Sequence, residues 1–319
     1  MKNFIFGVIL AIGAITAGAW AYGETFSFAV IADPHIDGNP DHKAKFHAAI
    51  NWIITNKNCT DIKLLFIAGD IAWGGAGVER NLDIAKAKLD ELNDAGIPYI
   101  PIIGDNEVHS GCEEEFNRVF ADQYRYLAGI LDNWRKAPLP ADNKYLQNFS
   151  FDYKYCHFIC ADFSSRLKGD EGGELHDFQG GSWPWVKNDI INCAKPRKEN
   201  IVIMTHIGMF STGYDTMDRF LFSRNEMSKI TDFISAYGSY IAANYAGHIH
   251  QNWEKDVRWR WRRLYTSRIT DETWHDTRRP SETNDQSLTV RWISVDNGGT
   301  TIKYMQHLKD AHHTGRTGM

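Results

Sequence analysis

The sequence predicts an α/β protein whose first strands run parallel. Three observations carry this prediction. The chain has 319 residues of which 43% are hydrophobic, enough to bury a full core. Between Phe26 and Leu131, apolar strand-like runs alternate with amphipathic helix-like runs, the β-α-β-α-β order of parallel strands joined by crossover helices. Each apolar run also stops at a polar cluster, as buried strands do at a ligand-binding edge.

The predicted elements follow in chain order. In the first half, strands are predicted at 26–32, 64–68 and 99–103, and helices at 42–55, 82–92 and 113–131. The first helix is amphipathic, because Phe46, Ile50 and Ile53 fall on one face. The second half is richer in strand, with a hairpin at 148–153 and 156–161, strands at 201–205, 240–246, 257–265 and 288–295, and a helix at 227–237. The loop 164–182 contains five glycines and suits the rim of an active site.

The first 21 residues have the pattern of a secretory signal peptide. Lys2 is followed by an apolar stretch, and small residues around Ala19 offer cleavage motifs. The alternative is an uncleaved anchor helix, although glycine and threonine dilute the apolar run. With no linker and no internal repeat in the remainder, we expect a single domain over residues 22–319 and a secreted or periplasmic protein.

Export permits disulfides among the five cysteines. Cys156 and Cys160 lie in one predicted strand, about 13 Å apart, which is too far for a bridge between them. Cys59 and Cys112 fall in predicted loops beside strand ends, and they are our choice for a disulfide. The net charge of −5 and the absence of a long basic run exclude an evident nucleic-acid-binding surface.

Five predicted strand ends carry the residues that suggest chemistry. They read Asp33-Pro-His35, Gly-Asp70, Gly-Asp105-Asn106-Glu107, Thr-His206 and Gly-His248-Ile-His250. Each motif alone is common, but parallel strands deliver their carboxyl ends to one edge of a sheet. So many carboxylates and imidazoles would repel one another or stay unsatisfied without a cation. Mixed histidine and carboxylate ligation suits Zn, Mn or Fe, and seven ligands suit two metals about 3.5 to 4 Å apart.

With these motifs the sequence resembles the calcineurin-like metallophosphoesterases, from about Phe26 to the strands after His250. The resemblance implies a four-layer α/β/β/α sandwich of two mixed β-sheets flanked by helices. It also implies that Asp33, His35 and His250 hold one metal, that Asp70 bridges both, and that the third-strand residue, His206 and His248 hold the other. The Gly-Asp-X-X-Tyr pattern of purple acid phosphatases ends here in Trp73, which has no phenolate for ferric iron.

The chain departs from the family at the third strand. The family reads Gly-Asn-His-Asp/Glu, and this chain reads Gly-Asp-Asn-Glu. Asp105 therefore stands at the position of the metal-binding amide, as a stronger, charged ligand. Asn106 stands at the position of the family's catalytic histidine and cannot titrate, so it can only donate a hydrogen bond. His109 is a candidate replacement acid, and a surface loop histidine is the other interpretation.

Two further features are left open by the sequence. Arg258, Arg260 and Arg262 alternate with Trp259 and Trp261, which on a strand would separate the two residue types onto opposite faces. The arginines then form either a strip that faces phosphate or the solvated face of a sheet with a tryptophan core beneath it. Trp183 and Trp185 begin a predicted helix and line either a substrate cleft or the core.

The function predicted from these observations is an exported, dinuclear-metal phosphoesterase acting on a small phosphorylated substrate. A hydroxide that bridges two divalent metals (Mn, Zn or Fe) would attack phosphorus in line with the leaving alcohol. Monoester and diester substrates are both open. The alternatives are a catalytically impaired metal-containing binding protein, suggested by Asn106, and a metal-dependent hydrolase of a different bond.

Overall fold

The structure, a computed structural model, describes residues 25–309 apart from 76, 139–145, 168, 198–199, 271–286 and 297–298. The predicted signal peptide lies outside the described residues. The helices of the described part are α1 Pro40–Thr60, α2 Val78–Asp94, α3 Asp105–His109, α4 Glu113–Val119, α5 Ala121–Ile130, α6 Ser182–Arg197, α7 Asp215–Asp218 and α8 Arg224–Ile234. The strands are β1 Phe26–Ile31, β2 Ile62–Ala68, β3 Tyr99–Ile102, β4 Asp132–Lys136, β5 Phe149–Tyr153, β6 Cys156–Ala161, β7 Asn200–Thr205, β8 Ile241–Ala246, β9 Trp253–Trp259, β10 Arg262–Ile269, β11 Ser287–Asp296 and β12 Gly299–Lys309.

The strands form two mixed sheets. The first sheet has the order β12-β11-β1-β2-β3, and the second has the order β4-β5-β6-β7-β8-β10-β9. Strands β1, β2 and β3 run parallel, as the alternating helices predicted, and so do β6, β7, β8 and β10. The carboxyl ends of each parallel set therefore meet at one edge of its sheet.

The sheets pack face to face through aromatic side chains. The ring of Phe28 in β1 lies 5.3 Å from that of Phe158 in β6 and 5.5 Å from that of Tyr245 in β8. On the outer side of the second sheet, a separate buried cluster joins alternate strand residues such as Ile159 and Ile203 to α6 and α8. Helices α1 and α2 cover the first sheet. The four-layer sandwich implied by the resemblance is confirmed.

Three details of the sequence-based assignment are wrong. The run 113–131 is two helices, because the chain bends at Phe120 between α4 and α5. The strand predicted at 257–265 is interrupted by a turn at Arg260 and Trp261, so the alternation of arginine and tryptophan ends in a hairpin tip. Cys59 and Cys112 are free thiols, and Cys59 lies near the end of α1 rather than in a loop. Among the described helices, none combines the length and the apolarity needed to cross a bilayer.

Candidate metal centre

All seven side chains predicted as metal ligands converge where the carboxyl edges of the two sheets meet. The first sheet supplies Asp33 and His35 after β1, Asp70 after β2 and Asp105 at the start of α3. The second sheet supplies His206 after β7, and His248 and His250 after β8. Six of these side chains are buried and His250 is half-buried. The site is thus built where two sheets meet. The strand ends in the sequence do not show that they belong to two different sheets.

The ligand atoms fall into two neighbouring groups. Group one contains Asp33, His35, Asp70 and His250, and group two contains Asp105, His206 and His248. Within each group, the nitrogen and oxygen atoms lie within 4.8 Å of one another. The groups adjoin at Asp70, whose Oδ1 lies 3.3 Å from His206 Nε2 while its Oδ2 lies 3.9 Å from His35 Nε2. This carboxylate therefore reaches both groups from one side chain.

Group one is positioned by unusual backbone conformations. Its members have φ values in the left-handed region: Asp33 at 48°, His35 at 45°, Asp70 at 51° and His250 at 48°. Such conformations cost about 1 to 3 kcal/mol each in ordinary residues, and they cluster at functional sites where the surrounding structure imposes them. Backbone hydrogen bonds hold them here, since His35 N donates to Asp70 O at 3.0 Å and Asp33 N to Gly69 O at 3.2 Å.

Two glycines of the motifs make room for the ligands. A Cβ on Gly104 would lie 2.0 Å from Asp70 Oδ1, and a Cβ on Gly247 would lie 2.4 Å from Asp33 Oδ2. These distances are far below van der Waals contact. The glycine before Asp105 and the glycine before His248 are therefore required by the close approach of a carboxylate from another strand end.

Group two is a hydrogen-bonded network of side chains. Asp105 Oδ1 lies 2.7 Å from His206 Nε2 and 3.0 Å from His248 Nδ1. His206 Nδ1 lies 2.8 Å from Ala68 O, which fixes the ring orientation and turns Nε2 toward the carboxylates. Burial disfavours the charged form of His206, but the carboxylates of Asp70 and Asp105 outweigh it and raise the pKa well above its usual value. The two carboxylates thus favour positive charge at this position, as they would favour a cation.

Group one has the opposite electrostatic character. Burial lowers the pKa of His35 to about 3, although Asp33 partly opposes that shift, so the ring is neutral and has a lone pair to donate. His35 Nε2 and His250 Nε2 lie only 3.0 Å apart. Burial and the nearby charge of Asp105 raise the pKa of Asp70 to about 6. Nitrogen and oxygen donors crowded in this way fit two divalent first-row ions, one in each group.

Asn106 lies directly at the junction of the two groups. Its backbone N donates to Asp70 Oδ1 at 2.9 Å, and its amide Nδ2 donates to Asp70 Oδ2 at 2.5 Å. The sequence did not predict this contact. An amide nitrogen carries two hydrogens, so one remains for another acceptor beside the site.

His109 lies at the end of α3, on the side of Asp105. Its Nδ1 is 3.7 Å from Asp105 Oδ2, and its side chain is 28% exposed. It also lines a pocket of about 280 Å³, together with Glu113 of α4 and with Arg166 of the predicted rim loop. The structure thus places His109 at the edge of group two, between the ligand and solvent.

Glu107 belongs to the polar cluster after the third strand, and the sequence assigned it no role in the site. Its side chain is fully buried, and its two carboxylate oxygens accept from Ala72 N and Gly104 N, both at 2.9 Å. It thereby ties the loop after Asp70 to the turn before Asp105. Burial and the charge of Asp70 raise its pKa to about 8. The signal was present, because a glutamate three residues after a helix N-cap often bonds back to the cap.

Trp73 and the arginine strip have separate locations. The Trp73 ring lies 4.8 Å from the His35 ring and is 44% exposed, so it packs at the mouth of group one.

The arginines lie at the far end of β9 and β10, away from the ligands. The interpretation of Arg258, Arg260 and Arg262 as a phosphate-facing strip beside the metals is therefore wrong. Trp183 is buried in the cluster on the outer side of the second sheet, so it does not line a cleft.

Comparison with known proteins agrees with this geometry. The family model for calcineurin-like phosphoesterases matches residues 26–252. A dimetal phosphatase from Danio rerio shares the fold with a TM-score of 0.57 at 12% identity, covering 89% of this chain and 98% of its own. A purple acid phosphatase from yellow lupin (Lupinus luteus) seeds has a TM-score of 0.56 at 11% identity, covering 90% of this chain and 54% of its own, so this chain spans about half of the lupin protein. No curated protein sequence matches the chain.

Proposed function

The chain belongs to the calcineurin-like phosphoesterase family and is a metal-dependent phosphoester hydrolase, and from this premise we propose that it is an exported enzyme with two divalent ions that hydrolyses mono- or diesters of small phosphorylated molecules. The observation that carries the proposal is the junction of the two ligand groups. Asp70 reaches His35 in one group and His206 in the other, at 3.9 Å and 3.3 Å. A carboxylate that reaches both groups in this way would be available to each of a pair of neighbouring ions.

In this proposal each ligand group holds one ion. Asp33, His35 and His250 would hold the first, Asp105, His206 and His248 would hold the second, and Asp70 would contribute to both. The donor set suits Mn, Zn or Fe. When bound, the ions would supply the Lewis acidity that makes water nucleophilic near neutral pH and offsets the charge of the phosphoryl oxygens.

The chain's own side chains then orient the substrate. Asn106 holds Asp70 with one amide hydrogen, and we assign the second to a phosphoryl oxygen of the substrate. In this proposal His109, partly exposed beside Asp105, accepts or donates a proton toward a leaving group in the pocket it lines. A titratable group at this position would compensate for the family histidine that Asn106 replaces.

Export rests on the sequence pattern of residues 1–21. The mature N-terminus should lie near Trp20 or Tyr22 in protein recovered from the envelope or medium of the expressing cell. An intact Met1 on that protein would contradict cleavage.

The assay that tests the function uses aryl phosphate mono- and diesters with added Mn²⁺ or Zn²⁺. We expect metal-dependent release of the aryl alcohol, abolished by Asp70→Ala and retained by Asp122→Ala, a change at a carboxylate whose side chain is 74% exposed. The relative rates on the two ester types assign the substrate class. Absence of turnover on both, with two ions bound, would contradict the proposal.

A further inference from the structure

The hairpin of β9 and β10 ends in a tip that the metal centre does not use. We define the hairpin tip as residues 258–263, whose sequence is Arg-Trp-Arg-Trp-Arg-Arg. Arg260 and Trp261 form the turn between the strands. Trp261 is 85% exposed, the highest fraction among the large hydrophobic side chains that the structure describes. Because so little of the Trp261 ring is buried, its burial contributes little to the stability of the hairpin.

The other tryptophan of the tip serves as its anchor. Trp259 packs against the buried cluster on the outer side of the second sheet. Its Nε1 donates to Asp232 Oδ1 of α8 at 3.0 Å, and the guanidinium of Arg260 lies 4.4 Å from its ring centre. Trp259 thus fastens the base of the tip to α8, and Trp261 projects from a fixed base.

The tip is strongly basic. Residues 256–263 contain four arginines and one acidic residue, Asp256. Asp256 lies 3.2 Å from Arg258 and 4.0 Å from Arg263, so it faces two of the four. Arg260 and Arg262 have no carboxylate within 4.0 Å among the residues that the structure describes, although Arg262 donates to the carbonyl of Ser235. A concentrated positive charge of this kind attracts a negatively charged surface even though the whole chain is acidic.

The tip lies at the opposite edge of the sheet from the metal centre. Strand β10 starts at the tip and runs parallel to β8, which ends at Ala246, just before His248. Eight strand residues at about 3.3 Å each place the tip about 25 Å from the ligand edge. A surface that binds the tip therefore leaves the metal centre directed toward solution.

We propose that the hairpin tip docks on the surface of a bilayer that contains anionic phospholipid. Trp261 enters the interfacial region, where tryptophan is favoured, and the arginines contact the lipid phosphates. The shape of the tip favours a bilayer over a single-stranded nucleic acid, because a nucleic-acid strand needs a groove with successive stacking rings. Here a single ring, that of Trp261, is exposed at the turn, and the Arg260 guanidinium lies over the Trp259 ring.

Sedimentation with vesicles of equal parts phosphatidylcholine and phosphatidylglycerol tests the proposal with the full chain. We expect binding to these vesicles, little binding to pure phosphatidylcholine, and release by salt. Arg260→Gln should weaken binding about fivefold, the effect of one arginine near an anionic surface, and Trp261→Ser should weaken it by at least as much. The matched control is the double variant Arg125→Ala/Tyr126→Ala, which removes an exposed arginine and an adjacent exposed tyrosine from α5.

Quenching by brominated lipid separates docking from general adhesion. Wild-type fluorescence should be quenched by brominated anionic vesicles, and Trp261→Phe should lose most of that quenching while still binding. Equal binding to neutral vesicles, unchanged binding of Trp261→Ser, or an equal loss in the α5 control would overturn the proposal. So would absent vesicle binding combined with retention on a single-stranded oligonucleotide that Trp261→Ser abolishes. None of these outcomes depends on phosphoesterase activity.

Discussion

The two ligand groups of the metal centre are held in place by different means. In group one, all four members have left-handed backbone conformations, and loops at strand ends fix where their side chains lie. In group two, only His248 has a positive φ, and Asp105 instead joins two histidines through hydrogen bonds of 2.7 Å and 3.0 Å. Backbone conformation therefore distinguishes group one, whereas group two is held mainly by the hydrogen bonds that Asp105 makes to its two histidines.

This difference has a consequence for metal uptake. Group one offers two carboxylates, Asp33 and Asp70, and a histidine whose pKa is lowered to about 3 by burial. Group two offers one carboxylate and a histidine, His206, whose pKa is raised by Asp70 and Asp105 against the effect of burial. The raised pKa makes a proton compete with a metal for His206, because ligands bind in their deprotonated form. We therefore expect the first ion to occupy group one and the second to bind more weakly.

The largest effect is expected from the residue that the groups share. Asp70→Ala should lower metal content from two ions per chain toward none, because it removes an oxygen ligand from both groups. Turnover should fall by more than the roughly thousandfold cost of one lost charge-stabilising donor. Elemental analysis and the aryl phosphate assay measure the two effects. Retention of one full ion would show that Asp70 serves a single group.

Changes within one group should separate the two ions. His35→Ala should cost mainly the first ion, and His206→Ala or Asp105→Ala mainly the second. Asp105→Asn restores the family's amide. It should lower the affinity for the second ion, because one negative charge is lost. Calorimetric titration of metal-free protein resolves the two binding events. Loss of the same ion in His35→Ala and Asp105→Ala would show that the two groups do not bind separate ions, which contradicts their assignment.

Asn106 should affect rate rather than metal content. Asn106→Ala keeps the backbone N–H that contacts Asp70 and removes only the amide, so both ions should remain while kcat falls about 10²- to 10³-fold. Asn106→His restores the family's titratable group and should raise turnover on esters with poor leaving groups. If Asn106→Ala empties group two while Asp105→Ala does not, the amide is the ligand and the assignment is wrong by one residue.

The smallest effect is expected from the support beneath the groups. Above the Glu107 pKa of about 8 both oxygens accept, and Glu107→Gln replaces one of them by a donor that faces a backbone N–H, so at such pH the chain should lose about 1 to 3 kcal/mol of stability. Metal content should change little. Thermal unfolding measures the loss, with Glu114→Gln, an exposed residue of α4, as the control. An unchanged melting temperature would show that Glu107 does not tie the two loops together.

The sequence predicted which side chains would lie together better than it predicted the bounds of the elements around them. Asp33, Asp70 and Asp105 each follow an apolar strand, and parallel pairing brings such ends together whatever the details of the loops. The contact between Asn106 and Asp70 could not be predicted, because it depends on how two strand ends lie across a gap. The turn at Arg260 was missed because alternation of residue types continues through a hairpin tip as it does through a strand.

Metal stoichiometry tests the central claim most directly. Elemental analysis of the full chain, purified without chelator and compared with Asp70→Ala, should give close to two divalent ions for the wild type and close to none for the variant. Two ions would agree with two groups that share a carboxylate. One ion or none in every wild-type preparation, including those supplied with Mn²⁺ or Zn²⁺, would contradict the dinuclear centre.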